Sequence, residues 1–524
     1  MLFHFPKEQF ILLIVAGVLL ATSILLFSKK QKTSLLFLFS GTMVLGFFFA
    51  LLDPYINIWD EQFHALVAKN LSENPFTPTL YKNPIMPYDY KNWVGNHIWL
   101  HKQPLFLWQM ALSIKLFGAN ELAVRLPSIV MHAIVPLFIF RIGSYLINAR
   151  TGFIAAIIFA TAFYPLELIS GGKATDHNDI AFLFYVTASF WAWFEYENSK
   201  NKYWLIVIGL LSGCAVLVKW LVGGLVYLAW FTTNLVKNDN VETWLKRFGY
   251  LLFSGGVALL VFVPWQVYTF IQFPGEAAFE HEFNARHLTE AIEGHGGDVY
   301  FHFNEALGEI YGLGDLVPIA LLVGFVSLLF LSKNKKHKVF IFTSVVVIYA
   351  FYSFAATKMS GFTLIASPFL YLGLGAILNL VFVGLEKIIK QKLVTWFISC
   401  FVMGLFAWSA LEFELIQFSH TFKEPNPKPF HNRNRAEELV EIKVIKSLDT
   451  ILGKKDYVIF NAHLSDMCHV PIMFYTNYVA YADIPNQPDF ENLKLKKQQM
   501  AFFDYGKLPD YIVNDKSVVL LSLE

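Results

Sequence analysis

Apolar stretches of roughly 17–21 residues recur along most of this chain, each close to the length an α-helix needs to cross ~30 Å of hydrocarbon. Backbone in hydrocarbon must satisfy its own hydrogen bonds, so such stretches can fold only as helices packed side by side. They fall near 10–28, 34–52, 126–146, 152–170, 179–195, 203–219, 221–236, 248–268, 312–331, 338–356, 364–384 and 393–412, which predicts an all-α polytopic membrane bundle of about twelve transmembrane helices. The segment 104–117 has about fourteen residues and carries Lys115, which suits an interfacial or re-entrant helix. Hydrophobic residues make up 56% of the chain and charged residues 15%, a balance no ordinary soluble domain shows. The net charge of +1 leaves no basic face for a nucleic acid. Three cysteines (Cys214, Cys400, Cys468) are too few for a disulfide framework and read as small apolar fillers. The first apolar stretch lacks a basic leader and a small-residue cleavage site, so it reads as a retained span.

Lysine and arginine collect in short cytoplasmic loops, and this bias orients the bundle. With 104–117 kept in the interface, Lys29, Lys30 and Lys32, the 333–338 cluster and the 387–392 stretch all fall on one side, as do Arg150, Lys200, Lys202, Lys246 and Arg247. Asp60, His101, Lys102, Asp176, Lys219, the 270–306 loop, Lys358 and the C-terminal tail then face the opposite, outer side, and the Phe-, Lys- and Asn-rich composition suits a bacterial inner membrane, which would make that side periplasmic. Snorkelling to the headgroups is the ordinary fate of Lys173, Lys219 and Lys358. Their place in short outer loops, where positive charge is disfavoured, points instead to function for Lys219 and Lys358.

Past Leu411 the composition changes. A Pro- and Asn-rich linker (416–433) precedes an amphipathic helix near 435–447 and strand-like runs at 457–460 and 518–521. The domain plan is thus 1–415 for the membrane unit, with outer loops at about 53–125 and 270–306, and 434–524 for a small mixed α/β periplasmic domain.

The outer face offers two separated acids, Asp60 (beside Glu61) and Asp176, together with lysines and a His-rich loop. A carboxylate at the mouth of a bundle can take a proton from a hydroxyl acceptor, and lysines beside it can hold an anionic leaving group. Acid plus lysines at a membrane face suits transfer from a lipid phosphate to a hydroxyl or amine, while structural ion pairs closing the bundle would use the same residue types. The loop 279–288 is no zincin motif, because His281-Glu282 lacks a second histidine at helical spacing. His287 could join His101 and a carboxylate around a divalent ion, or simply be a hydrogen-bonded surface residue. His295 sits in a glycine-rich turn where it could contact substrate or steady the loop.

The order of motifs resembles the bacterial C-type membrane glycosyltransferases of the protein-mannosyltransferase superfamily, which includes the lipid A aminoarabinose transferases. The resemblance rests on Asp60-Glu61, then Lys102-Gln103-Pro104-Leu105, then Phe117-Gly118 with Glu121 and Arg125-Leu126-Pro127-Ser128. It continues through Thr175-Asp176, the 216–219 run ending in Lys219, Val263-Pro264-Trp265, the 279–287 loop with His295-Gly296, and Lys358 before Pro368, covering about 55–375. It implies a helical bundle with interfacial helices in the first outer loop and a polyprenyl-phosphate sugar donor, the protein being a monomer surrounded by membrane lipids. Carried over by residue, Asp60 is the base that deprotonates the acceptor, and Lys102, assisted by Lys219 and Lys358, holds the donor phosphate. Asp176 is the second catalytic acid, Glu61, Arg125 and His295 support substrate, and His287 with His101 mark a site for a divalent metal ion. Displacement at the anomeric carbon by one base would invert its configuration. Lipid, glycan and protein acceptors all stay open. Gln103 stands where a proline is usual and Trp220 where a glycine is usual, and an extra span precedes the acidic loop. A transporter or flippase of lipid-linked sugars is the rival reading, but such carriers usually show repeated halves and mid-membrane charge. A lipid-phosphate transferase would need more in its soluble part than His463, Asp466 and His469.

Overall fold

Helix ends in this chain are marked by the residues that satisfy them. The side chains of Asn120, Asn148 and Asn334 accept hydrogen bonds from the N–H groups of Ala123, Thr151 and Lys336, pairing amides that a helix start leaves free. A computed structural model describes residues 7–173, 175–236, 241–312, 316–412, 435–453, 456–463 and 468–521. The expected linker at 416–433 and Asp466 lie outside these residues. The helices are α1 (Lys7–Leu26), α2 (Gln31–Ala50), α3 (Asp60–Leu71), α4 (Pro104–Phe117), α5 (Glu121–Leu146), α6 (Ala149–Ala160), α7 (Phe163–Ile169), α8 (Asp176–Ser199) and α9 (Tyr203–Lys219). There follow α10 (Leu225–Leu235), α11 (Val241–Gln272), α12 (Pro274–Arg286), α13 (Phe301–Asn304), α14 (Ala306–Tyr311), α15 (Val317–Leu331), α16 (Lys335–Phe354), α17 (Ser367–Ile388) and α18 (Lys392–Ala410).

Among the described residues, eight helical stretches are long and apolar enough to cross a membrane, or nine if the pair α6 and α7, bent by 49°, counts as one. This is fewer than the twelve expected, for three physical reasons. Helix α8 carries Asp176, Asp179, Glu195 and Glu197 and is too polar to pass, yet each carboxylate is paired inside the protein, with His64, Lys219, Arg141 and Lys336. Helix α15 has only 15 residues. The stretch Tyr203–Leu235 reads as one long helix by composition, but the chain doubles back at Trp220. A Cβ on Gly223 would sit 2.4 Å from the backbone of Ala215 and Val216, and Trp230 on α10 reaches Tyr196 near the far end of α8. Helix α4 is a 14-residue apolar helix, too short to cross. Close helix contacts use small residues: a Cβ on Gly143 of α5 would come within 2.5 Å of the Gly152 Cα of α6.

The polar ends of the bundle differ in kind. At one end Arg150 pairs with Glu386, Lys336 and Lys200 pair with Glu197, and Lys29 lies over the Trp396 ring. At the other end lie Asp60, His101, Lys102, Lys219 and the 287–295 loop. The loop that leads from α2 into α3 is anchored at this second end by one buried group. Arg125 donates to both oxygens of Glu61 (2.7 and 2.9 Å) and to the carbonyls of Ala50, Asp53 and Tyr55 (2.6–2.7 Å). Glu61 also accepts from the Asn57 N–H (2.6 Å) and meets His177 Nε2 at 3.2 Å. Burial pushes the Glu61 carboxyl up, but Arg125 and His177 outweigh it and hold it at about 2. Glu61 and Arg125, expected to support substrate, instead build the loop; both are buried away from the cavity.

The C-terminal α/β unit has a four-stranded, all-parallel sheet in the order β2-β1-β3-β4, from β1 (Tyr457–Phe460), β2 (Val479–Ala480), β3 (Gln499–Phe503) and β4 (Val519–Leu521). Between them run α19 (Arg435–Leu452), α20 (His469–Tyr475), α21 (Gln487–Leu495) and α22 (Asp510–Val513). Parallel strands need covered faces. One face packs Phe460, Phe490 and Phe502 into a core of its own, while Ile459, Phe474 and Phe503 join the core of the bundle.

Removing one partner of a buried ion pair strands the other. Arg125→Ala is therefore expected to cost about 3–5 kcal/mol, and Arg125→Lys to fail too, since an ammonium cannot serve five acceptors in a plane. Thermal unfolding in detergent checks this. A drop in midpoint no larger than that of an exposed lysine variant would show that the clamp carries no load.

Candidate functional site

Three strained backbone positions aim the walls of one cavity. Trp59 (φ 71°), Thr175 (φ 65°) and Trp220 (φ 56°) each adopt a left-handed conformation unfavourable for L-residues, and all three line a cavity of about 970 Å³. Trp59 turns the chain into α3, so that Asp60 stands at its first position. Thr175 turns the chain into α8 and points its N–H at Asp60 Oδ2 (2.7 Å). Trp220 reverses the chain after Lys219, leaving that ammonium at the cavity wall.

The cavity has a charged end and an apolar limb. Asp60, Lys102, Lys173, Lys219, Asn178 and Glu293 line the first; Leu221 in the turn after Trp220, Leu225 and Leu228 of α10, and Val347, Ile348 and Phe351 of α16 line the second. Burial pushes the Asp60 carboxyl up, but the charges of Lys102 above all, then His64, the Thr175 N–H and His101 outweigh it and hold it at about 2. Lys102 meets no carboxylate within ion-pair distance among the described residues. Lys219 pairs with Asp179 and lies over the Phe362 ring at 4.6 Å, and Lys173 pairs with Glu309 at 2.8 Å. Negative charge brought into this end would meet three ammonium groups from three segments.

Several expected residues fall elsewhere. Asp176 is fully buried behind the cavity, bound to His64 Nδ1 at 2.9 Å, with His64 one turn along α3 from Asp60. Lys358 turns away from the cavity: its ammonium donates to the carbonyls of Tyr352 (3.1 Å), Ser353 (2.7 Å) and Ala355, closing the C-terminus of α16. Its backbone N–H donates to the His295 carbonyl at 2.8 Å, so Lys358 and His295 steady each other's loops, and His295 does line the cavity. His101 lines the cavity, stacked on Trp93 at 4.4 Å, with Nδ1 3.2 Å from Glu280 Oε2. Burial, then Lys102, lowers the His101 imidazole well below its ordinary range, and burial lifts Glu280 to about 7. His287 Nδ1 meets the Phe283 carbonyl at 3.1 Å. Among the described residues no three His, Cys, Asp or Glu side chains, those around His101 and His287 included, gather at metal-ligating spacing.

Sequence reasoning passed over Asp179, Glu280 and Glu293. Asp179 joins two parts of the site: it holds Lys219 through Oδ1 and the Thr175 hydroxyl through Oδ2. Its spacing of three from Asp176 puts both on one side of α8, and that was the available signal. Glu280, a turn before Asn284 and two before His287 on α12, gave only the same kind of helical spacing. Glu293 accepts from Trp93 Nε1 at 2.8 Å, tying two outer loops across the cavity rim; nothing in the sequence pairs these residues.

Residues 101–268 match the family described as dolichyl-phosphate-mannose-protein mannosyltransferase. The chain is 30% identical over 172 residues to an uncharacterised protein of Aquifex aeolicus, covering 32% of this chain and 30% of that one. It is 28% identical over 186 residues to the undecaprenyl phosphate-alpha-4-amino-4-deoxy-L-arabinose arabinosyl transferase of Pseudomonas paraeruginosa, covering 33% and 32%. The matched stretch thus spans about a third of the length of these curated relatives. The fold is similar to that of ArnT from Cupriavidus metallidurans bound to undecaprenyl phosphate, with a TM-score of 0.61 at 13% identity over 93% of this chain and 89% of that one. It is also similar to the archaeal oligosaccharyltransferase AglB from Archaeoglobus fulgidus, with a TM-score of 0.55 at 12% identity over 87% and 65%.

Gly361 leaves no room for a side chain, because a Cβ there would lie 2.2 Å from Asp179 Oδ2 and 3.1 Å from the Tyr164 hydroxyl. Gly361→Ala is expected to push Asp179 off its two partners at a cost of about 1–3 kcal/mol, read as a lower unfolding midpoint. An unchanged midpoint would mean that Asp179 is not held where the geometry puts it.

Proposed function

We propose that this chain is an integral-membrane glycosyltransferase that moves a sugar from a polyprenyl-phosphate donor to a hydroxyl acceptor, with inversion at the anomeric carbon. The observation that carries this reading is the cavity itself: three lysines with the Asp60 and Glu293 carboxylates at one end, continuous with an apolar limb between α10 and α16. A lipid phosphate has the complementary form, an anionic head on a hydrocarbon tail. The partial sequence match to the arabinosyl transferases and the likeness of fold to ArnT support the same donor class.

In the proposed step Lys102 and Lys219 hold the donor phosphate, each Lys–phosphate contact contributing at most about 4 kcal/mol of raw Coulomb energy at 4 Å and an effective dielectric of 20. The acceptor oxygen attacks the anomeric carbon from the side opposite the phosphate. The new C–O bond forms as the sugar–phosphate bond breaks, the acceptor proton passes to Asp60, and polyprenyl phosphate leaves. Asp176 acts through His64, holding the imidazole beside Asp60. We place the cavity and the C-terminal unit on the periplasmic side, since the paired basic loops Lys29, Arg150, Lys200 and Lys336 share the other end.

Purified protein incubated with a panel of polyprenyl-phosphate sugars and an envelope lipid extract is expected to consume one donor. Asp60→Asn should lower the rate by about 10²–10⁴ in protein that is still folded at the assay temperature, and Lys102→Met should raise the KM for donor. Donor untouched by wild-type protein, with lipid or sugar crossing liposomes instead, would replace the enzyme with a carrier. Acid dependence gives a separate check. A carboxyl held at about 2 stays ionised well below its ordinary 3.8, and its contribution to folding stability, full above 3.8, is lost progressively as pH falls from there through the lowered value. The rate should therefore show no acid limb near pH 4 while the protein stays folded; such a limb assignable to Asp60 would contradict the charge network around it.

A further inference from the structure

The C-terminal unit meets the first outer loop at three places, and each lies within ten residues in sequence of a wall of the cavity. The Tyr475 hydroxyl accepts from the Ile56 N–H at 2.9 Å and donates to Glu121 at 2.9 Å, four residues before Asp60 and four before Arg125. Lys69, in the last turn of α3, donates to the carbonyls of Met473 (2.8 Å), Phe474 (2.9 Å) and Thr476 (2.6 Å), closing the C-terminal end of α20. The Tyr481 hydroxyl accepts from the N–H groups of Ile85 and Met86 (2.8 and 3.0 Å), and its ring stacks on Tyr81 at 4.9 Å. The loop beyond Met86 carries Trp93, His101 and Lys102.

Helix α3 is thus gripped at both ends by α20, before its first residue through Ile56 and at its last turn through Lys69. Asp60, Glu61 and His64 all sit between those grips. On the bundle side, the Arg125 clamp fixes only the carbonyls of residues 50–55 and the Glu61 carboxylate. The N–H of Ile56 is served from the other side, by a side chain about 420 residues distant in sequence.

We infer that the C-terminal unit is a positioning element for the reaction site, with Tyr475 as the positioning residue that sets the entry of α3 and hence the Asp60 carboxylate. Tyr475 touches no substrate and acts through the Ile56 backbone and Glu121. The contacts with Lys69 and Tyr481 hold the unit against the bundle, while the Tyr475 hydroxyl transmits its position to the loop. This inference rests on the reading of Asp60 as the proton acceptor.

The test uses the full chain in lipid nanodiscs, with Tyr475→Phe beside wild type and two readouts. Loss of one shared hydroxyl is expected to lower kcat for donor consumption about tenfold, the scale of one hydrogen bond of ~1.4 kcal/mol, with KM for donor within about twofold. Hydrogen exchange at 57–64 is expected to quicken while exchange in the strands 457–460 and 499–503 stays slow, showing that the unit remains folded. Glu121→Gln, which keeps an oxygen for the Tyr475 hydroxyl, is expected to stay near wild type. Lys69→Met, which loosens the other end of α3, should give the same exchange signature and stands in if Tyr475→Phe does not fold. Unchanged kcat with unchanged exchange at 57–64, or a fall in kcat and rise in KM together with exchange quickened throughout the unit, would overturn the inference. If wild-type protein consumes no donor, the proposed function falls, and exchange at 57–64 still decides whether the unit sets α3.

Discussion

A guanidinium and a carboxylate are buried together at one end of this bundle, and the candidate site is built on them. Arg125 and Glu61 are fully buried, where two charges taken from water gain stability only if every remaining donor and acceptor is also met. Here they are: Arg125 spends its fork on Glu61 and three loop carbonyls, and Glu61 adds the Asn57 amide and His177. The result is a short loop held from inside in one conformation, strained at Trp59, that delivers Asp60 to the cavity. Gly171 is part of the same fit, since a Cβ there would run into the Glu61 carboxylate.

The same logic runs down α8, whose four carboxylates would be costly against lipid but are each matched within the protein. The two near its start support the site, Asp176 through His64 and Asp179 through Lys219 and Thr175. The two near its end pair with Arg141 of α5 and Lys336 of α16. A single helix therefore spans from the site to the opposite face, polar at both ends and buried between. Charge that looks like a liability in a membrane chain is what fixes the helix in place.

The C-terminal unit adds a second hold on the same loop from outside. Its sheet buries one face in its own core and turns the other toward the bundle, so its attachment is apolar in area and polar in aim. Tyr475, Tyr481 and the α20 carbonyls direct that attachment at the residues flanking Asp60 and Lys102.

The sequence by itself determined that this is a polytopic helical membrane chain with a small α/β unit after it, because run length and apolar content answer directly to the thickness of hydrocarbon. It also determined that Asp60, Lys102 and Lys219 share one face, since loop charge follows the side of the membrane. Only the tertiary structure decided what each charge meets. Lys358 and Lys102 look alike as lone outer lysines, yet one closes a helix end and the other stands open to the cavity, a difference set by the direction of the chain after α16. Asp179 and Glu280 were invisible as partners because Lys219 and His101 lie 40 and 179 residues away from them. The reversal at Trp220, which splits an apparently continuous apolar run, likewise depends on Gly223 packing against the backbone of α9. Burial can be read from composition along a line; pairing depends on distances between helices, and those exist only once the bundle has closed.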